Sequence, residues 1–510
     1  MTESSQKILD QVSLKSYKAL SALKSTPISF DHFLIENNCI ELAFSLSCLS
    51  NDQELVEKLT KAPKLINQLG FARHKFINRI FYKNLISLIL ARIASSGDLE
   101  AFSSWDHYLF GAHLQLDDTP EWFAEAFWDI NRHAISMSHD YKFSPPREKD
   151  ITTESPLIFV FKGPPQLAHF QNLALLLHNF SFIGKSHLIR LIFLDVMPSQ
   201  AIDLPCKCFK LGHLSIKDKI RSYFNIIYST RACALYWVAS VQTIGLYMFK
   251  QAAPIQGYWS MKYHSIYSPF IQTYLRTSTF NDTLDVDGKH WLGVPADLNN
   301  LALIPNSDRS YSDFLQSCYN SNLPLKIVTH GREIKVSNSY FAQLIQQVLR
   351  ESNATWSYSG RKKAIWHTFD NPSINFSGWL TMPQMIQQIS QALLYLDSFP
   401  FGGGHTAFNA LRSSKPIIML NTDQNRRCSF MMHLTDLISM YDPLTCHSEY
   451  GIFEHISSMS QFLTSIISKD GIAFDTLASI QSRQSSIFKR YTSGFNREKE
   501  FNKLWRKLRS

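Results

Sequence analysis

The spacing of apolar residues changes near residue 155, and this change separates two kinds of sequence. Before it, apolar residues in the segments 40–49, 55–69 and 76–93 recur at the spacing of one buried helix face. Glycine and proline are sparse in this region, and no repeat of fixed length is visible. The pattern predicts an all-α domain over residues 1–150.

Short apolar runs alternate with helical patterns after a polar linker that contains paired prolines, residues 142–155. The run 157–162 predicts a buried strand, 168–177 a helix and 188–194 a second strand. This order with short connections predicts a parallel sheet built from right-handed βαβ units. Ligands of such sheets bind beyond the carboxyl ends of the strands, so His169 is a candidate site residue, with a purely structural histidine as the alternative.

A glycine-rich turn interrupts a later βαβ pattern. The run 393–399 predicts a buried strand, 407–411 a helix and 417–420 the next strand. Three glycines lie between the first strand and the helix: Gly402, Gly403 and Gly404. A backbone without Cβ atoms can approach an anion closely, and the N–H groups of the helix's first turn then point at it. The turn therefore suits a phosphate, and a tight connection without a ligand is the alternative.

Two cations lie where another strand meets a helix. The run 325–329 predicts a strand and 340–349 an amphipathic helix, with the polar turn 330–335 between them. Arg332 and Lys335 belong to this turn, where a cation can meet a phosphate. A solvated turn without a ligand is the alternative.

A polar and aromatic segment bounded by prolines, residues 252–274, has the composition of a loop that contacts a ligand. It contains Gln256 and His264. The end of the chain, residues 491–510, alternates apolar and basic residues and predicts a helix that packs back on the body, with Arg509 among its exposed cations.

Composition narrows the class of protein. A chain of 510 residues with 45% hydrophobic and 18% charged residues predicts a globular protein of two or three domains. The net charge of +9 is scattered except near the C-terminus, which argues against nucleic acid and leaves an anionic small molecule, an acidic partner or a membrane surface. The eight cysteines lack metal-ligand spacing, and no apolar run approaches the ~20 residues of a membrane span, so a cytoplasmic protein without a metal is predicted.

Several short motifs carry a resemblance to one family. They are Ala253-Pro254-Ile255-Gln256, Arg332 with Lys335, Leu396-Asp397-Ser398-Phe399-Pro400, Gly402-Gly403-Gly404-His405-Thr406, Ala410-Leu411 and Lys415-Pro416. Together they resemble the O-GlcNAc-transferase-like glycosyltransferases of GT-B fold, with the bacterial adhesin N-glycosyltransferases as the most similar branch. The resemblance covers scattered blocks between residues 155 and 440.

The resemblance implies an α/β architecture in which two Rossmann-like domains face a cleft. After the all-α domain, it implies an acceptor-side domain over 151–315, a nucleotide-sugar-binding domain over 316–490 and a basic helix over 491–510.

The resemblance also assigns roles to single residues. Lys335 matches the lysine that holds the donor diphosphate, and Gly404, His405 and Thr406 match the loop that binds the same phosphates. Trp379 falls near the position that packs the uracil. Asn409 stands where the family usually has an aspartate that binds the ribose, and its amide can still hydrogen-bond a hydroxyl. The remaining candidates are substrate-binding Gln256, Arg332, Gly402 and Gly403, and His264 or His169 as general base or acceptor-orienting group.

The sequence therefore predicts an inverting, metal-independent glycosyltransferase without a cofactor. It would transfer a hexose, of glucose or GlcNAc type, from a UDP-sugar to an Asn or Ser/Thr side chain of a surface protein or adhesin. One alternative is a GT-B transferase acting on a lipid or cell-surface glycan, with the basic C-terminus at a membrane surface. Another is a non-catalytic partner of a second glycosyltransferase, for which an accessory protein would be the ligand.

Overall fold

The structure is a computed structural model. It describes residues 90–103, 132–134, 136–137, 146–147, 150–163, 168–195, 203–239, 247, 250–260, 270–286, 288–296, 310–331, 335–336, 338–350, 353–360, 366, 371–399, 402–422, 425–426 and 429–510. The predicted all-α domain over 1–150 lies outside the described residues, apart from short pieces such as the helical residues 90–96.

The chain divides into two compact units. The first comprises Met1–Arg276, Thr283–Leu292 and Leu504–Ser510, and the second comprises Thr277–Asp282 and Gly293–Lys503. Each unit is built around a largely parallel sheet.

An eight-stranded sheet organises the first unit, in the spatial order β3-β2-β1-β4-β5-β6-β8-β7. Its strands are β1 Leu157–Lys162, β2 Ile189–Phe193, β3 Lys207–Lys210, β4 Ala234–Ala239, β5 Ile255–Trp259, β6 Thr273–Ser278, β7 Thr283–Val286 and β8 Lys289–Pro295. The pairs from β3 to β6 are parallel, and β7 pairs antiparallel with β8. Helices α1, Ala168–Phe182, and α2, Ile216–Thr230, connect strands of the parallel part. The first five residues of β1 are all buried, which explains why its sequence is continuously apolar instead of alternating.

Strand β5 corrects the prediction of a loop over 252–274. Residues 255–259 pair with β4 and β6, and four of the five are buried. A Cβ on Gly257 would lie 2.4 Å from Cε1 of Tyr236, so only glycine fits against the neighbouring ring. Polar and aromatic side chains such as Gln256 and Trp259 therefore fill a buried strand here, which their composition alone does not reveal.

A six-stranded parallel sheet organises the second unit, in the order β11-β10-β9-β12-β13-β14. Its strands are β9 Leu325–His330, β10 Ala354–Ser359, β11 Ile374–Phe376, β12 Leu394–Leu396, β13 Ile417–Leu420 and β14 Ile452–Phe453. The chain adds β10 and β11 on one side of β9, and then returns to add β12, β13 and β14 on the other. The strand order therefore reverses between β9 and β12, and ligands of open α/β sheets bind beside such a switch point.

Helices cover both faces of the second sheet, as in a doubly wound fold. They are α3 Tyr311–Asn320, α4 Ser339–Leu349, α5 Met382–Ser390, α6 His405–Arg412, α7 Phe430–Tyr441, α8 Ile456–Ile467 and α9 Gly471–Gly494. A further helix, α10 Arg497–Lys507, follows α9. One apolar cluster contains side chains of α4 and α8, and a second contains side chains of α5, α6 and α7. Helix α9 contributes to both clusters.

The last residues of the chain return to the first unit. Trp505 packs edge-to-face on Phe180 with ring centroids 5.2 Å apart, and Tyr236 Oη donates a hydrogen bond to the carbonyl of Leu508 at 2.9 Å. Arg509 is half-buried and donates to the carbonyl of Ser155 at 2.7 Å, so its predicted exposure is wrong. Among the described residues, no helix is long and apolar enough to span a membrane.

Candidate phosphate-binding site

Two ionisable side chains flank the switch point of the second sheet. His330 is the last residue of β9, and Asp397 directly follows β12, the neighbouring strand. Both side chains are fully buried, with 0% exposure. Because charged forms are costly to bury, two titratable groups at the carboxyl edge of a parallel sheet mark this position as a candidate site. His330 had been predicted to lie in a polar turn, and that prediction is wrong.

The glycine-rich loop closes directly over Asp397. Asp397 Oδ1 accepts hydrogen bonds from the N–H of Gly403 at 2.6 Å and of Ser398 at 3.0 Å. A Cβ on Gly402 would lie 2.5 Å from Asp397 Oδ2 and 2.9 Å from Asn425 Oδ1. A Cβ on Gly403 would lie 2.9 Å from Oγ1 of Thr406. Both positions therefore require glycine, because the loop packs closely on the side chains beneath and beside it.

The start of α6 presents backbone donors beyond this loop. Helix α6 begins at His405 with Gly404 as its N-cap, and no side chain caps it. The carbonyl of Gly404 accepts from the N–H groups of Ala407 and Phe408, whereas the N–H groups of Gly404 and Thr406 have no acceptor in the described part of the chain. A Cβ on Gly404 would meet nothing within 4 Å, so the N-cap position itself is open. An anion suits this position.

Lys335 reaches the loop from the other side of the switch point. Its Nζ donates a hydrogen bond to the carbonyl of Gly402. The side chain crosses the space beside Gly331, where a Cβ would lie 2.9 Å from Cδ of Lys335. Gly331 also has a φ of +152°, a conformation that side-chain-bearing residues rarely adopt. The turn after β9 is thus shaped to bring one ammonium group to the glycine loop.

Burial and the nearby ammonium act in opposite directions on Asp397. Burial raises the pKa of its carboxyl to about 6, although the charge of Lys335 and the hydrogen bonds from Gly403 and Ser398 favour the ionised form. Its Oδ2 has no hydrogen-bond partner in the described part of the chain. With a pKa of about 6, the carboxyl is half protonated near pH 6 and mostly ionised at pH 7.

His330 is held neutral on the other side of the switch point. Its Nδ1 lies 2.6 Å from Oγ of Ser359, and burial lowers the pKa of the ring to about 4. The Nε2 atom is buried without a hydrogen-bond partner among the described residues. Tyr395 joins this ring to helix α6, because its hydroxyl donates to the carbonyl of His330 and lies 3.1 Å from Oγ1 of Thr406.

The predicted donor-site residues on α5 and α6 have different surroundings. Trp379 is 61% exposed and lies two residues before the N-cap of α5. Asn409 is buried, and its amide donates to Sδ of Met382 at 3.3 Å and accepts from Arg412 at 3.3 Å. Each end of the amide therefore has a second hydrogen-bonding position that could take a hydroxyl.

Two predicted site residues belong to the first unit. His169 is half-buried in the first turn of α1. Gln256 is buried in β5, where its Oε1 accepts from the N–H of Ala252 at 2.9 Å and its Nε2 donates to the carbonyl of Lys250 at 3.4 Å. Its amide thus serves the local fold on both sides. His264, Arg332 and the side chain of His405 lie outside the described residues.

The structure adds three polar residues that no motif singled out as functional: His330, Asp397 and Asn425. Asn425 is fully buried, and its Oδ1 lacks a hydrogen-bond donor in the described region. A signal did exist for Asp397, since an acidic residue inside the apolar run 393–399 needs a reason to be there. Within the described residues, no cluster of three or more His, Cys, Asp or Glu side chains could hold a metal ion.

No protein-family model matches this chain, and no curated protein matches it. Solved structures do match. The O-GlcNAc transferase of Thermobaculum terrenum, in a mutant form, aligns over 92% of this chain and 97% of its own with 9% identity and a TM-score of 0.50. HepE of Anabaena, in complex with UDP and glucose, aligns over 69% of this chain and 99% of its own with 12% identity and a TM-score of 0.43. WaaG, a glycosyltransferase involved in lipopolysaccharide biosynthesis, aligns over 68% and 98% with 9% identity and a TM-score of 0.41.

These neighbours are GT-B glycosyltransferases, and the likeness to the Thermobaculum enzyme shows the fold. The predicted GT-B fold class, with two parallel-sheet domains, is confirmed. The narrower resemblance to the adhesin N-glycosyltransferases stays a prediction. Because one fold supports many activities, the function has to be argued from the site.

Proposed function

We propose that this chain is an inverting, metal-independent glycosyltransferase that transfers a hexose from a UDP-sugar to a protein side chain. The observation that carries the proposal is the glycine loop at the switch point of the second sheet. There Lys335 donates to the carbonyl of Gly402, and at the start of α6 the N–H groups of Gly404 and Thr406 have no acceptor among the described residues. This arrangement supplies positive charge and hydrogen-bond donors to a diphosphate.

Catalysis would consist mainly of stabilising the leaving group. An acceptor oxygen or nitrogen attacks C1 of the sugar on the face opposite the phosphate, the C1–O bond to the diphosphate breaks, and UDP departs with the bonding electrons. Lys335 and the N–H groups of the loop stabilise the charge that develops on the diphosphate. The acceptor's proton passes to a base, for which His169 and His264 are the candidates.

The rest of the donor site is assigned by the resemblance and supported by position. Asn409 follows the glycine loop on α6 and would hydrogen-bond the ribose through a position of its amide that Met382 and Arg412 leave open. Trp379 exposes its ring in the turn between β11 and α5, where a uracil could stack. Arg332 completes the proposed donor-binding set, and no cofactor is required.

The acceptor is proposed to be an Asn or Ser/Thr side chain of a surface protein or adhesin, and the sugar a glucose or GlcNAc-type hexose. A cytoplasmic location suits a reaction that uses UDP-sugars. The likeness in fold to an O-GlcNAc transferase, whose name describes transfer of GlcNAc, supports a GlcNAc-type donor.

The test is Lys335→Ala beside Lys326→Ala, an exposed lysine of the same strand-and-turn region. Radiolabelled UDP-glucose, UDP-galactose and UDP-GlcNAc are offered to a lysate with each purified protein, and label is counted in precipitated protein and in a lipid extract. Loss of the lysine should lower the rate by about 100-fold or more, about 3 kcal/mol of transition-state stabilisation, while Lys326→Ala retains the wild-type rate.

The outcome also separates the alternatives. Label in the lipid extract alone would replace the protein acceptor with a lipid or cell-surface glycan. An absence of turnover with every sugar nucleotide would reject the enzyme and leave a non-catalytic partner of another transferase. Wild-type rates in Lys335→Ala would reject the proposed role of the lysine.

A further inference from the structure

Asp397 has a place that the proposed catalytic roles do not use. Its carboxyl lies beneath the glycine loop with no exposed surface, and one oxygen already accepts from the N–H groups of Ser398 and Gly403. The other oxygen, Oδ2, lies 2.5 Å from the position that a Cβ of Gly402 would take. It has no hydrogen-bond partner in the described part of the chain. A buried carboxylate in this position puts a negative charge directly under the proposed diphosphate site, which opposes binding of an anion.

The groups around Asp397 come from several elements that border the loop, and α7 also borders it, because the N–H of Phe430 donates to the carbonyl of Gly403 at 2.8 Å. Lys335, from the turn after β9, is the nearby cation that favours its ionised form. Tyr395 of β12 hydrogen-bonds Thr406 at the start of α6. His330 at the end of β9 is held neutral by burial, and Asn425, beyond β13, presents an amide oxygen on the same side of Gly402 as Asp397 Oδ2. Lys335 is thus the charge that most directly keeps the carboxyl ionised.

A bound diphosphate would change this balance in two ways. Its negative charge, a few ångströms from the loop, disfavours a second anion beneath it. It also draws the Lys335 ammonium toward its own oxygens, so that less of that charge stabilises the carboxylate. Both effects favour the protonated carboxyl, and the carboxyl titrates close enough to neutral pH to respond.

From this geometry we infer that Asp397 is a positioning residue of the phosphate site that takes up a proton when a nucleotide sugar binds. The inference rests on the proposed function and deepens it. The neutral carboxylic acid continues to accept the N–H of Gly403 through Oδ1, so the loop keeps its shape. A protonated Oδ2 becomes a hydrogen-bond donor. Asn425 Oδ1, which lies beside the same face of Gly402, is an acceptor without a donor among the described residues.

The test is calorimetric titration of the full chain with UDP-glucose, UDP-galactose, UDP-GlcNAc and GDP-mannose. These ligands are diphosphate diesters whose charge does not change between about pH 5 and pH 8, so any proton exchanged belongs to the protein. Titrations at one pH in buffers of different ionisation enthalpy give the number of protons taken up. Wild type should take up a substantial fraction of one proton between about pH 6 and pH 7.5 and almost none near pH 5, where the carboxyl is already neutral.

Two variants locate the proton. Asp397→Asn keeps the oxygen that accepts from Gly403 and carries no charge, so it should bind with no proton uptake and with an affinity independent of pH over the same range. Asp475→Asn removes an exposed carboxyl of α9 and should behave as wild type. An infrared difference spectrum on ligand binding should show a new protonated-carboxyl band in wild type that is absent from Asp397→Asn.

The outcomes are distinguishable. Binding of a nucleotide sugar to wild type without proton uptake overturns this inference and leaves the proposed function intact. Proton uptake that persists in Asp397→Asn would assign the proton to another group, of which His330 is the first candidate. That outcome also overturns the inference. No binding of any of the four ligands overturns the proposed function and the inference together. Proton uptake is measured on the wild-type chain alone, so the inference can be rejected even if a variant folds poorly.

Discussion

Buried polar side chains in the two units differ in how completely they are hydrogen-bonded. In the first unit, Gln256 of β5 has both ends of its amide hydrogen-bonded to nearby backbone. In the second unit, Asp397, His330 and Asn425 each keep one buried atom without a hydrogen-bond partner in the described region. Buried polar groups normally find partners, so a cluster of unpaired atoms needs a cause other than the stability of the fold. Gln256 is thus fixed by nearby backbone, whereas these three residues of the second unit keep hydrogen-bonding capacity that the described part of the chain does not use.

Gly402→Ala should have the largest effect on stability and binding, because it places a methyl group against the buried polar atoms beneath the glycine loop. The new methyl group would collide with Asp397 Oδ2 and Asn425 Oδ1, both held by buried surroundings. We expect a loss of about 2–4 kcal/mol in the free energy of unfolding and loss of nucleotide-sugar binding. Gly404→Ala is the matched control, since its methyl meets nothing within 4 Å. Urea unfolding of both variants checks the expectation, and equal stabilities would contradict the packing argument.

The second prediction concerns pH and the two ionisable residues at the switch point. The folded-state pKa of Asp397 is raised to about 6, so its contribution to stability grows as the pH falls through that value. The folded-state pKa of His330 is lowered to about 4, so its contribution is present above the unfolded value near 6.5 and is lost as the pH falls toward 4. Between about pH 4 and pH 6.5 the two contributions oppose each other, each by up to about 3 kcal/mol.

Single variants should uncover these opposed contributions. Asp397→Asn should lose more stability than wild type between about pH 7 and pH 4.5, by about 1–3 kcal/mol, because only the histidine contribution remains. His330→Gln should lose less than wild type over the same interval. Chemical denaturation at the two pH values measures both differences. Parallel pH profiles for wild type and both variants would show that neither residue titrates as described.

The smallest effect on nucleotide-sugar binding is expected at Gln256, whose amide is hydrogen-bonded at both ends to nearby backbone. Gln256→Leu removes the partners of the Ala252 N–H and the Lys250 carbonyl inside the first unit, and should lower the free energy of unfolding by about 1–3 kcal/mol. Nucleotide-sugar affinity should stay within about twofold of wild type. A variant that folds normally and loses affinity would instead place Gln256 in the substrate site, as the resemblance implies.

Sequence patterns predicted those elements whose burial is set by their own residues. Strand β13 was predicted over 417–420 and is found at Ile417–Leu420, because a strand buried on both faces is apolar at every position. Helix α4 was predicted from 340 and begins at Ser339, after Asn338, whose side chain caps it. Lys335 and the glycine loop, which the resemblance assigns to the same phosphates, follow neighbouring strands that end at the same edge, and Nζ of Lys335 donates to the carbonyl of Gly402.

Patterns failed where burial depends on which strands become neighbours. Gln256 and Trp259 looked like loop residues because nothing local reveals that β4 and β6 enclose them. His330 looked like the start of a turn, although the pairing of β9 with β10 and β12 buries it completely. The pKa values of His330 and Asp397 follow from that burial, so they too could not be predicted before the strand order was known.

The closing segment of the chain has a consequence for the order of events during synthesis. Tyr236, in the middle of the first sheet, donates its hydroxyl hydrogen to the carbonyl of Leu508, which is translated 272 positions later. Trp505 and Arg509 join the first unit through similarly distant partners, Phe180 and Ser155. The first unit therefore cannot reach its final state while the ribosome is still producing the second. Until the last helix emerges, its partners in the first sheet remain uncovered, a period in which a nascent chain is most exposed to aggregation and to chaperones.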